Sequence, residues 1–178
     1  MEIYLVRHTE TICEKGICYG QSDVAIVAPF DLVFEAIISQ LPPEAIIFSS
    51  PLQRCTLLAK HIQNKIKTIS YQEDERLKEM NFGNWEMQNW NDILPEQLNP
   101  WMEDFVNIPA SNGESFTELH KRVAEFLSNQ ISKEINKPII IVSHAGVIRS
   151  ILCHYSELPL KDAFNNKVDF GQVIKIVL

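Results

Sequence analysis

The 178-residue sequence has no apolar run approaching the roughly 20 residues that cross a bilayer, so no spanning helix is expected. Its first residues show neither a basic n-region nor a long apolar core, and no secretory signal is expected either. Cysteine is scarce. Cys13, Cys18, Cys55 and Cys153 are scattered along the chain, and without a signal they read as free thiols in a reducing cytoplasm. Cys13 and Cys18 have the closeness of half a zinc site, but no second close pair follows. Positive charge is also short: 16 Lys and Arg face 23 Asp and Glu, for a net charge of -7. That balance argues against nucleic acid or an anionic membrane as partner. An anionic ligand would need its positive charge gathered in one place. Internal repeats and low-complexity tracts are absent as well.

The composition present is ordinary for a globular chain, 46% hydrophobic and 22% charged, at the length of one domain spanning 1–178. Ile3, Leu5 and Val6 mark a short buried strand that runs straight into Arg7 and His8. EAIIFSS (44–50) is a second strand, and Pro51 opens a helix with Cys55, Leu58, Ala59, Ile62 and Ile66 at helical spacing. TISY (68–71) is a third candidate strand, and residues 72–88 look irregular. Helical pieces are expected from Trp90 to Val106, interrupted by Pro95 and Pro100; the stretch 90–109 reads as a lid or a dimer surface. Phe116, Leu119, Val123, Phe126, Leu127 and Ile131 form one helical stripe. KPIIIVSH (137–144) is the clearest buried strand, AGVIRSILCHY a helix after it, and QVIKIVL (172–178) a final strand. This alternation predicts an α/β fold with a mostly parallel sheet covered on both faces.

Two strands end in histidine, His8 and His144, and a third leads through SSPLQR to Arg54. The carboxyl edge of an open α/β sheet is where ligands bind. Arg7 and Arg54 are permanent forked cations suited to a phosphoryl group, and His8 and His144 can act as nucleophile, base or donor. Within DERLKEMNFGNWE (74–86), Glu79 lies in an apolar and aromatic patch; a carboxyl there, beside a phosphate's charge, is favoured in its protonated form. Glu86 is the alternative acid. Taken singly, each residue has a plain structural reading as a strand cap, a buried histidine or a solvated helix residue. Their joint placement points to phosphate chemistry. His61, His120 and His154 read as surface or structural, Trp85, Trp90 and Trp101 as packing, and the run EDE (73–75) as a solvated loop.

LVRHTET, SSPLQR, ERLKEMNFGNWE and SHAGVIRS, in this order from Leu5 to Arg149, together resemble the histidine phosphatase superfamily, also called phosphoglycerate mutase-like. The resemblance implies a three-layer α/β/α sandwich and a phosphoric monoester hydrolase that works through a phosphohistidine. His8 corresponds to the nucleophile, Arg7, Arg54 and His144 to the phosphate pocket, and Glu79 to the proton donor. No metal and no organic cofactor is implied; the arginines supply the charge that a metal supplies elsewhere. The sequence departs from the common pattern at Thr9, Ala145 and Met87, where glycine is frequent, and at Glu14, where several members carry asparagine.

GICYGQSDV (16–24) is similar to the corresponding stretch of the alpha-ribazole phosphatases, which remove the 5'-phosphate from alpha-ribazole phosphate in cobalamin biosynthesis. The similarity implies substrate contacts from Tyr19 and Gln21, with Ala145 beside them after His144; the plain reading of the stretch is a tight turn at Gly20. Three alternatives accompany that expectation. One is a phosphatase of another small phosphate ester. A second is a phosphoglycerate mutase, which would need a carboxylate-binding basic cluster that is not visible near the motifs. The third is an inactive phospho-ligand binder, against which the intact His8, Glu79 and His144 speak.

Overall fold

The computed structural model describes residues 1–131 and 137–178. In chain order the elements are β1 (Glu2–Arg7), β2 (Ile17–Cys18), α1 (Asp31–Ile38), β3 (Glu44–Ser49), α2 (Gln53–Lys65), β4 (Lys67–Glu73), β5 (Gln88–Asn89), α3 (Pro95–Glu103), α4 (Phe116–Phe126), β6 (Ile139–Ser143), α5 (Ala145–Ser156) and β7 (Val173–Val177). The main sheet has the order β4-β3-β6-β1-β7. Four strands are parallel and β7 runs antiparallel to β1.

Successive strand side chains point to opposite faces. Ile3, Leu5, Ile46, Phe48, Ile139 and Ile141 pack on one face, beneath α4 and α5. Tyr4, Val6, Ala45, Ile47, Ile140 and Val142 pack on the other, beneath α1 and α2. The central strands are therefore apolar without alternation, and the three-layer α/β/α sandwich with its mostly parallel sheet follows. Ser115 opens α4 with a capping box to Glu118, and the expected stripe from Phe116 to Ile131 is buried along its length. Its last part, Leu127–Ile131, winds as a π-type turn.

Several local expectations shift. Helix α2 begins at Gln53, two residues after Pro51. Pro95 does not interrupt the helix of this region but opens α3, and Pro100 lies inside it. The first position tolerates a missing N–H, and a single interior proline removes one ladder bond from a helix whose Trp101 is buried. In the EDE run, Asp74 is not merely solvated: it caps the turn Glu75–Leu77 and holds the Arg76 guanidinium at 2.9 and 2.7 Å. Among the described residues no helix is long and apolar enough to cross a membrane.

The sheet order places β6 between β3 and β1, all pointing the same way. The residues that follow these three strands therefore emerge side by side at one sheet edge.

Candidate active site

His8 leaves the end of β1 almost fully buried, with its backbone N–H on the Ser143 carbonyl at 3.1 Å. Its Nδ1 lies 2.7 Å from the Thr9 carbonyl oxygen. A carbonyl only accepts, so Nδ1 carries the hydrogen and, in the neutral ring, Nε2 keeps its lone pair. Burial first, then the Arg54 and Arg7 cations, push the His8 pKa down to about 3, against the opposing effect of the Thr9 bond. The ring is neutral at any ordinary pH.

His144 has the opposite tautomer. Arg54 Nε donates to its Nδ1 at 3.3 Å, and its Nε2 lies 2.8 Å from Ser50 Oγ, so the ring hydrogen sits on Nε2. Burial and the neighbouring Arg54 hold it well below the usual imidazole range. The two rings meet edge to face with centroids 5.1 Å apart. Cys55 Sγ lies 3.5 Å from His144 Nε2, but burial pushes that thiol up, so it offers no thiolate.

Arg54 is fully buried near the start of α2, and its guanidinium donates to the carbonyls of Gly20 at 2.6 Å and Ser22 at 2.7 Å. These bonds fix the fork and leave one hydrogen on each terminal nitrogen for an anion. Arg7 donates from Nη1 to the Val168 carbonyl at 2.7 Å and stacks on Phe170, 3.8 Å from the ring centre. Arg7 Nε and Thr9 Oγ1 are buried with no hydrogen-bond partner, two unsatisfied polar atoms beside the same histidine.

Glu79 comes from the irregular segment after β4. Its carboxylate accepts from the Met80 N–H at 2.9 Å and from the Gly146 N–H, in the first turn of α5, at 3.2 Å. A Cβ on Gly146 would stand 2.3 Å from Glu79 Oε1, so a side chain there would displace the Glu79 carboxylate from this position. The helix N-terminus thus holds Glu79 at the edge of the site. Glu86 is engaged elsewhere: it accepts from Gln21 N–H at 2.9 Å, Phe82 N–H at 3.2 Å and Ser22 Oγ at 2.6 Å. It ties the 20–22 turn to the 79–86 segment. Gly20 has φ +41, and a Cβ there would meet the Glu86 carboxylate at 2.4 Å.

Arg7, Tyr19, Gly20, Glu79, Phe82, Trp90 and Arg149 line a cleft of about 280 Å³. Tyr19 faces Arg54, 5.1 Å from ring centre to guanidinium carbon. The Gln21 amide is turned onto the Glu79 carbonyl at 2.9 Å. Glu14 is exposed on a separate groove with Ile12 and Cys13. Arg149, not singled out from the sequence, donates to the Asn166 carbonyl at 3.1 Å and lies over Phe164. It is three residues after Gly146, hence on the same helix face, and that spacing was the signal available. Beyond Trp90 the wall continues into an apolar cavity of about 740 Å³ formed by Trp101, Met102, Phe105 and Phe164 among others. Among the described residues no group of three or more His, Cys, Asp or Glu is placed to hold a metal ion.

A neutral imidazole with an open nitrogen, two guanidinium groups and a carboxylate at the carboxyl edge of a parallel sheet mark an α/β phosphate-ester hydrolase. The chain belongs to the histidine phosphatase superfamily (branch 1), whose family model matches residues 3–178. Among its relatives, "Putative phosphoserine phosphatase 2" of Hydrogenobacter thermophilus is 31% identical over 98% of this chain and 88% of that protein. The "Adenosylcobalamin/alpha-ribazole phosphatase" of Escherichia coli is 25% identical over 96% of this chain and 87% of that one. The crystal structure of the alpha-ribazole phosphatase from Shigella flexneri shares the fold with a TM-score of 0.87 at 24% identity, covering 100% of this chain and 91% of that chain.

Proposed function

We propose that residues 1–178 form one catalytic domain that hydrolyses alpha-ribazole 5'-phosphate through a phosphohistidine on His8. The observation that carries the chemistry is the His8 ring itself: Nδ1 is spent on the Thr9 carbonyl and Nε2 is left with its lone pair. Nε2 attacks phosphorus as the ester P–O bond breaks. Glu79 gives its proton to the departing alcohol oxygen, then takes one from the water that attacks the phosphohistidine. Inorganic phosphate leaves and His8 regains its lone pair. Arg7 and Arg54 bind the phosphoryl oxygens and stabilise the charge they carry in the transition state, and His144 belongs to the same pocket by accepting from Arg54 Nε and so orienting that guanidinium.

The choice of substrate is supported by the cleft wall. Tyr19 and Trp90 line the cleft with Arg7 and Glu79, and Trp90 also lines the aromatic cavity. A leaving group with a ribose and a flat apolar ring system fits that sequence of surfaces. Gln21 and Ala145 do not line the cleft: Gln21 shapes it through its bond to the Glu79 carbonyl, and Ala145 is buried at the start of α5, next to His144.

One observation favours a second reading. Arg149 adds a guanidinium to the cleft beside Arg7, and this would suit a carboxylate on the leaving group, as in phosphoserine or a phosphoglycerate. Phosphate release in EDTA from alpha-ribazole 5'-phosphate, phosphoserine, 3-phosphoglycerate, nucleotides and sugar phosphates separates the two. Preference for the ribazole ester supports the first reading. Preference for a carboxylate ester that is lost in Arg149→Met moves the assignment to the second. No release from any ester, with no radiolabel trapped on His8, overturns both.

A further inference from the structure

The segment that carries Glu79 has little regular structure of its own. It contains only the single turns Glu75–Leu77 and Gly83–Trp85, with Glu79 between them. Its carbonyls cannot be satisfied by a strand or helix ladder and need other donors. Arg122, on α4, supplies them. One Arg122 guanidinium donates to the carbonyls of Arg76 at 2.6 Å, Lys78 at 2.7 Å and Glu79 at 2.9 Å. The same group is held from the other side by Glu114, whose two carboxylate oxygens accept at 3.0 and 3.1 Å. Glu114 also accepts from the Asn81 N–H at 2.9 Å, and its own N–H donates to the Asn81 carbonyl at 2.8 Å. Both side chains are mostly buried, with 20% and 14% exposure.

We infer that Arg122 and Glu114 are a positioning pair that fixes the Glu79 carboxyl against the leaving-group oxygen, a reading that rests on Glu79 being the proton donor. Arg122 grips the backbone on the near side of Glu79 and Glu114 grips it two residues beyond. The carboxyl is thereby held between the α5 N-terminus and the cleft. The pair acts through Glu79 and touches no reacting atom. Its loss is felt in the proton transfers that Glu79 makes, first to the leaving oxygen and then from the attacking water.

The test is leaving-group dependence. Arg122→Ala, Glu114→Gln, Glu79→Gln and the double variant Glu79→Gln/Arg122→Ala are assayed on an alkyl phosphate and on an activated aryl phosphate, whose departure needs little proton transfer. With kcat/KM as the readout, because it reports formation of the phosphohistidine and not its shared hydrolysis, Arg122→Ala is expected to lose roughly 10- to 100-fold on the alkyl ester, the scale of a small misplacement of a catalytic group, and less than about threefold on the aryl ester. Added guanidinium ion is expected to restore part of the alkyl rate. The double variant is expected to be no slower than Glu79→Gln alone. Equal losses on both esters for Arg122→Ala, or losses that multiply in the double variant, overturn the inference while the Glu79 reading stands. Equal losses on both esters for Glu79→Gln overturn that reading, and the inference with it. If Arg122→Ala does not fold, Glu114→Gln is judged by the same criteria.

Discussion

The Nδ1 of His8 and the carbonyl oxygen of Thr9 stand 2.7 Å apart, and this one contact between sequence neighbours decides which nitrogen keeps its lone pair. The ring is locked with its lone pair on Nε2, and burial with two nearby arginines keeps it there. Thr9 contributes through its backbone, which explains why the side chain at this position can differ from glycine.

His8→Ala is expected to abolish phosphohistidine labelling and to change acid stability in a defined direction. The unfolded chain protonates His8 below about pH 6.5, but the folded chain does so only at about 3. The contribution of this group to stability is complete above pH 6.5 and falls, as pH drops towards 3, by about 1.4 kcal/mol per unit. Urea titrations between pH 7 and 4 should therefore show a shallower loss for His8→Ala than for the wild type. Parallel slopes would mean that His8 is not buried neutral.

Arg54→Lys is expected to lose about 100-fold in kcat/KM, because an ammonium cannot serve the Gly20 carbonyl, the Ser22 carbonyl and His144 at once and still face a phosphate. Vanadate affinity should fall in step. A loss below tenfold would place Arg54 outside the phosphate-binding set.

Met87→Gly is expected to stabilise the protein by roughly 0.5–1 kcal/mol. Met87 has φ 64 and is 54% exposed, so it bears the cost of a left-handed backbone with little packing in return. Thermal unfolding of the single variant measures this, and an unchanged or lower midpoint would refute it.

Trp90→Ala is expected to raise KM for alpha-ribazole 5'-phosphate by about tenfold, the scale of one lost aromatic stacking contact, and to leave KM for small sugar phosphates nearly unchanged. Steady-state kinetics on both substrates distinguish a contact in the leaving-group wall from a general disturbance of the aromatic cluster, which would raise both.

The strands and their order of appearance were legible because strands buried on both faces leave unbroken apolar runs such as Ile139–Ser143. The residues that meet at the sheet edge were legible for the same reason, since a strand's end is where its apolar run stops. Helix α1 was not, because Leu32 and Val33 are exposed while Phe34 and Ile37 are buried, and this blurs the helical period. The pairing of β2 with β5 involves two residues on each side and leaves no pattern to read. Glu86 looked like a rival acid because its three donors come from residues 21, 22 and 82, which only the folded turn brings together. Arg122 carried no signal of its own in the sequence, since the carbonyls it binds come from a segment about 44 residues earlier.

Trp85, Trp90 and Trp101 sit with ring centres 5.7 to 6.3 Å apart, and they are the three tryptophans of the chain. Trp90 belongs at once to this cluster, to the wall of the cleft and to the cavity behind it. The consequence is optical. Tryptophan emission from the protein comes from neighbouring indoles, one of which borders the cleft with Arg7 and Glu79, so a ligand that occupies this cleft is expected to change the intrinsic fluorescence and to be followed without a label.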